Sequence, residues 1–138
     1  MYYVSNGTLR HASQLPAESI LSLGTCLGKF SKSGSKFKIH ITALELLNRY
    51  GLHKVWIKPS SEMSFLYGNN LPKSGLAKLT DSIPQYGGVV VLSMSSGVAL
   101  GFGVAAQRTD VIKDLDGGAN VVLHQGDVGE YLRVEDDL

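Results

Sequence analysis

The chain has 138 residues, 43% of them hydrophobic and 18% charged, which suits one ordinary domain or two small ones and excludes a disordered chain. Its apolar runs, "GVVVLSM" among the longest, fall far short of the roughly 20 residues of a membrane helix, the start "MYYVSNGTLRH" has no basic-then-apolar leader, and the lone Cys26 excludes an intramolecular disulfide and fits a reducing compartment. The net charge of +1 hides a split: residues 1–78 hold 10 Lys and Arg against 3 Asp and Glu, whereas residues 79–138 hold 3 against 9, a pattern that points to a polyanion-facing region unless the fold interleaves the two halves.

In chain order, "YYV" reads as a strand and "NGTLRHASQL" as a short helix closed by Pro16. Gly24 and Gly28 weaken a helix in "ILSLGTCLGKF", which reads as one kinked extended strand. Phe37, Ile39 and Ile41 alternate with Lys36, Lys38 and His40, the period of a strand with one wet face, and "SKSGSK" before it reads as a hairpin turn. Thr42 with Glu45 predicts a capping box for "TALELLNRYG", with Leu44 and Leu47 facing the core and Gly51 at the stop. "HKVWIKP" is a strand ended by Pro59. Ser60 or Ser61 then caps a helix, "SEMSFLY", that stops at Gly68. "YGGVVVLSM" and "VALGFGVAAQ", joined by "SSG", predict a hairpin. "RTDVIKDLDGG" is a polar loop or weak helix, "ANVVLHQ" a further strand, and "GDVGEYLRVEDDL" a helical turn with an acidic tail. From about His53 the pattern is that of a small barrel or sandwich.

Most catalytic chemistry finds no support. Gly68 and Gly75 do not make a phosphate loop, because no lysine follows Gly75. "GFGVAA" mimics a dinucleotide fingerprint but sits in a predicted hairpin. His11, His40, His53 and His124 are scattered without metal-ligand spacing, and no serine sits in a nucleophile elbow. Cys26 reads as a small buried hydrophobe. The expectation is a non-enzyme with no metal and no cofactor.

Two basic stretches remain. In "YGNNLPKSGL", Gly68 and Gly75 offer positive φ and close approach, Asn69 and Asn70 offer amides, and Lys73 and Lys78 supply charge beside exposed backbone N–H groups. Together they could hold a ribose-phosphate backbone, and the alternative is an ordinary glycine turn. Lys29, Lys32, Lys36 and Lys38 fall within ten residues, with Phe30 and Phe37 out of phase and facing a core. That hairpin is assigned to phosphate contact or protein docking.

"SLGTCLGKF", "FKIHITAL", "VWIKPSSEMSFLYGNNLPKSGL", "ALGFGVAAQ" and "GDVGEYLRVEDD" together resemble the Nip-seven family of large-subunit ribosome biogenesis factors, over nearly the whole chain. The resemblance implies an α+β chain: an incomplete N-terminal α/β domain over residues 1–52, then a PUA-type RNA-binding pseudo-barrel over residues 53–138. It implies a non-catalytic nuclear and nucleolar factor, monomeric and not membrane-bound. Such a factor binds precursor rRNA in pre-large-subunit particles, beside other assembly factors and exosome components. RNA contacts carried over by the resemblance are Lys58, Gly68, Asn69, Lys73, Gly75 and Lys78, then Arg108, His124 and Arg133. Family members have further elements ahead of "YYV", and Asn70 and Pro72 depart from the family's pattern. An adaptor that docks proteins through the lysine hairpin is the alternative function.

Overall fold

The computed structural model of the protein describes residues 1–15 and 24–133, and the chain divides between Ala43 and Leu44 into two units. The first carries β1 (Tyr2–Tyr3), α1 (Asn6–Ser13), β2 (Thr25–Cys26), β3 (Gly28–Phe30) and β4 (Phe37–Ile39). Ser5 caps α1 by accepting from the Thr8 N–H. Pro16, expected to close this helix, lies outside the described residues, as do residues 20–23 of the expected kinked strand. The rest of that strand is two short pieces: β2 pairs with β1, and β3 pairs with β4. Gly28 is required there, since a Cβ would stand 2.2 Å from the Lys38 carbonyl oxygen.

Two expectations for this unit are corrected. Phe30 and Phe37 do not face a core: they are 56% and 39% exposed, with ring centroids 4.8 Å apart. Two three-residue strands offer too little apolar surface to bury these rings between them. Thr42 is not a helix cap either. Its hydroxyl donates to the Cys26 carbonyl, Ile41–Ala43 forms a 3₁₀ turn, and the helix starts at Leu44.

The second unit begins with α2 (Leu44–Tyr50), ended by a bond from the Gly51 N–H to the Leu47 carbonyl. It continues with β5 (Lys54–Ile57), α3 (Pro59–Leu66), β6 (Leu71–Pro72), β7 (Leu76–Leu79), β8 (Gly88–Ser93), β9 (Ala99–Ala105), α4 (Thr109–Ile112), β10 (Asn120–Asp127) and α5 (Glu130–Arg133). The strands form one six-stranded sheet in the order β6-β10-β9-β8-β5-β7, antiparallel except for β5 with β8. Laid flat, its edges would lie about 24 Å apart. Yet β6 and β7 are joined by the three-residue turn Lys73–Gly75, which reaches at most about 14 Å. The sheet therefore curls until these strand ends lie within that reach, and a nearly closed α+β barrel follows from one short connection.

Val55, Ile57, Phe65, Leu71, Val91, Val121 and Val122 fill the interior, each worth about 1.5–3 kcal/mol on burial. In β8, Val89 and Val91 point inward, while Val90 and Leu92 are buried on the other face, against which α2 packs. Cover on both faces is why this strand reads as an unbroken apolar run. The expected cap of α3 at Ser60 or Ser61 is corrected: Lys58 is the N-cap and Pro59 the first helical residue, where its fixed φ and missing N–H cost nothing. The stop at Gly68 is as expected, with φ at +93°.

Candidate nucleic-acid interface

The burial of β5 alternates. Val55 and Ile57 are inside, and Lys54 and Trp56 lie on the opposite, partly exposed face. Lys58 continues the outward parity and is exposed. Trp56 is in register with Lys78 on β7, whose ammonium sits 4.9 Å from the indole centroid. The Lys58 N–H donates to the Gly75 carbonyl at 2.8 Å, which holds the end of β5 to the turn before β7. Lys58, Gly75 and Lys78 are thus brought together around Trp56. Among the described residues, none of Lys54, Lys58 and Lys78 forms an ion pair.

The other expected residues make contacts within the fold. The Lys73 ammonium donates to the carbonyls of Lys113 and Leu115, at 2.6 and 2.7 Å, just past the C-terminal end of α4. The N–H groups of Lys73 and Ser74 bind the carbonyls of Ala119 and Gly117, and those of Gly68 and Asn69 bind Phe65 and Ser64. The expected row of exposed backbone donors is therefore absent from these positions. Gly75 is buried without positive φ, and its close neighbour is Ser61: a Cβ would lie 2.2 Å from the Ser61 Oγ. Gly68 does take positive φ, and Gly68 and Asn69 remain exposed beyond the far end of α3.

His124 and Arg133 converge on a buried acid. Asp127 is 0% exposed. It accepts from His124 Nε2 at 2.6 Å, from Arg133 Nη2 at 2.9 and 3.0 Å, and from the Gly129 N–H at 2.7 Å. Arg133 Nη1 also donates to the Leu66 carbonyl at 2.6 Å, and Asn70 Oδ1 accepts from the His124 N–H. In a regular strand residues 124 and 127 would face opposite ways. A bulge at Gln125 shifts the β10–β9 register by one and puts them on the same side. Arg108, before α4, reaches Asp110 at 4.0 Å with both side chains exposed.

In the first unit, Lys29 and Lys38 are register partners, and Lys32 and Lys36 lie in the turn between the strands. All four are exposed, with no carboxylate in ion-pair range among the described residues.

Family models place these observations. A model for the NIP7/UPF0113 pre-PUA domain matches residues 1–41, and one for the UPF0113 PUA domain matches residues 53–136. The chain belongs to the NIP7/UPF0113 family. It is 52% identical to the 60S ribosome subunit biogenesis protein NIP7 homolog of Xenopus tropicalis, over 100% of this chain and 76% of that one. Among solved structures, an Aeropyrum pernix PUA domain superposes with a TM-score of 0.62 at 16% identity, over 80% of this chain and 62% of that one. A conserved PUA domain protein from Thermoplasma acidophilum gives 0.59 at 18%, over 95% of each. Those likenesses establish the fold.

Within the PUA domain, Trp56 and Asp127 are not among the residues that the sequence singles out. The alternation Lys54, Trp56, Lys58 was a usable signal for the first. An acid ending an apolar strand, six residues before an arginine, was one for the last.

Proposed function

We propose that this chain is a non-catalytic RNA-binding factor of large-subunit ribosome assembly, which binds precursor rRNA and assists its processing in the nucleus and nucleolus. It works as a monomer on pre-large-subunit particles, beside other assembly factors and exosome components. The process is supported by 52% identity to a relative named for 60S subunit biogenesis. The mode of binding is carried by one observation: Lys78 over the Trp56 ring, with Lys58 on the same face.

A cation beside an outward aromatic side chain on a strand suits a single-stranded backbone, phosphate to ammonium and base to ring. The proposed path crosses Lys58, Trp56 and Lys78 at the edge formed by Gly75 and runs toward Gly68 and Asn69. Lys73, His124 and Arg133 serve it by holding the barrel, and Arg108 lies aside at the start of α4. RNA binding is assigned to residues 53–138. Ultraviolet cross-linking in cells tests this. It should recover precursor rRNA, with linked peptides spanning residues 54–58 and 76–79; recovery of unrelated RNA, or of none, would remove the reading.

The exposed hairpin with Lys29, Lys32, Lys36 and Lys38 supports a second reading, an adaptor that docks an acidic protein through residues 1–52. Partners that survive nuclease treatment and are lost with Lys32→Glu and Lys36→Glu favour the adaptor.

A further inference from the structure

Helix α3 separates two surfaces. At about 100° per residue, Ser61 lies on one flank, and Glu62 and Leu66 on the other. The Ser61 flank faces Gly75 and the lysine edge. On the other flank, Glu62 accepts from the Ser93 hydroxyl at the end of β8, and the Leu66 carbonyl accepts from Arg133 on α5. Met63 belongs to this second flank, with Tyr67 one turn on. The β8–β9 turn adds Met94 and Val98, and α5 adds Leu132. These five side chains are between 52% and 88% exposed. Hydrogen bonds thus hold three elements side by side, and each turns large apolar groups to solvent.

The charges around them disfavour phosphate. Residues 62–67, 93–98 and 128–132 contain no Lys or Arg and two acids, Glu62 and Glu130. The nearby guanidinium of Arg133 is taken up by Asp127 and the Leu66 carbonyl. A single exposed apolar residue is ordinary, but several on adjoining elements mark a docking surface. Two methionines give it adaptable, polarizable contact.

We infer that this face docks a protein helix whose apolar ridge seats on Met63, Met94 and Leu132, and whose lysine or arginine rims meet Glu62 and Glu130. The surface is distinct from the lysine edge, because Met63, Glu62 and Leu66 occupy the other flank of α3, and the two adjoin only where Tyr67 meets Gly68. One chain would then hold RNA on one side of this helix and a basic amphipathic partner on the other.

The three methionines supply the test. Methyl NMR of the full chain, titrated with a synthetic helix bearing leucines on one face and lysines beside them, should move Met63 and Met94 saturably. Met1, in the first unit, is the internal control and should stay. A peptide of the same composition, shuffled to destroy the apolar face, should move none. Met63→Glu with Leu132→Glu should weaken binding at least tenfold while the remaining spectrum stays folded. Equal response to the shuffled peptide, or no saturable shift, overturns the inference. So does a single-stranded oligoribonucleotide that moves Met63 and Met94 as strongly, which would make the face an RNA surface. Shifts on dilution alone would assign it to a second copy of the chain.

Discussion

Arg133 places its guanidinium 2.9 Å from Asp127, a carboxylate with no exposed surface at all. The pair ties α5 to β10, and the second arginine nitrogen reaches the end of α3 through Leu66. A buried carboxylate left without its partners is strongly destabilising. Asp127→Ala should cost about 3 kcal/mol, and Arg133→Met about 2 kcal/mol because that guanidinium is partly exposed. Chemical denaturation checks both. Arg133→Met should leave the salt dependence of RNA binding as it was, which a phosphate contact would not.

Lys73 makes the same distinction at the other edge of the barrel. Its ammonium caps the segment after α4 with two carbonyl bonds. Lys73→Met should lower stability by about 1–2 kcal/mol, whereas Lys78→Met should weaken RNA binding with little change in Tm. Denaturation midpoints and RNA titrations on both variants separate a structural lysine from a binding one. An exchange of the two phenotypes would reverse the assignment.

Gly75 and Ser61 form a close pair on the lysine side of α3. A methyl group at position 75 would meet the Ser61 Oγ at 2.2 Å and its Cβ at 2.7 Å. Gly75→Ala should cost about 1–3 kcal/mol through overpacking. Adding Ser61→Gly should recover part of that loss, so the double variant should be more stable than the two single effects summed. Simple additivity would show that the two positions do not press on each other.

Much of the barrel was legible because its strands announce themselves locally. The run Val89 to Leu92, the turn at Gly97 and the alternation of Val55 and Ile57 each carry their own pattern. The site was less legible, for a physical reason: side-chain partners far apart in sequence decide it. Lys73 looks like any surface lysine until α4 ends beneath it, 40 residues later. His124 and Asp127 have spacing that a regular strand would split, and only the bulge at Gln125 unites them. The exposed Phe30 and Phe37 show the converse, since alternation predicts which residues share a face but not whether anything covers it.

The Trp56 edge is the proposed place where phosphate meets protein. The most direct measurement is the affinity of the full chain for a single-stranded oligoribonucleotide across a series of salt concentrations, with and without Lys58→Gln and Lys78→Gln together. Loss of two phosphate contacts should weaken binding at every RNA sequence and reduce the slope of log affinity against log salt by about 1.4. An unchanged affinity and slope would contradict the account and move the RNA elsewhere on the molecule.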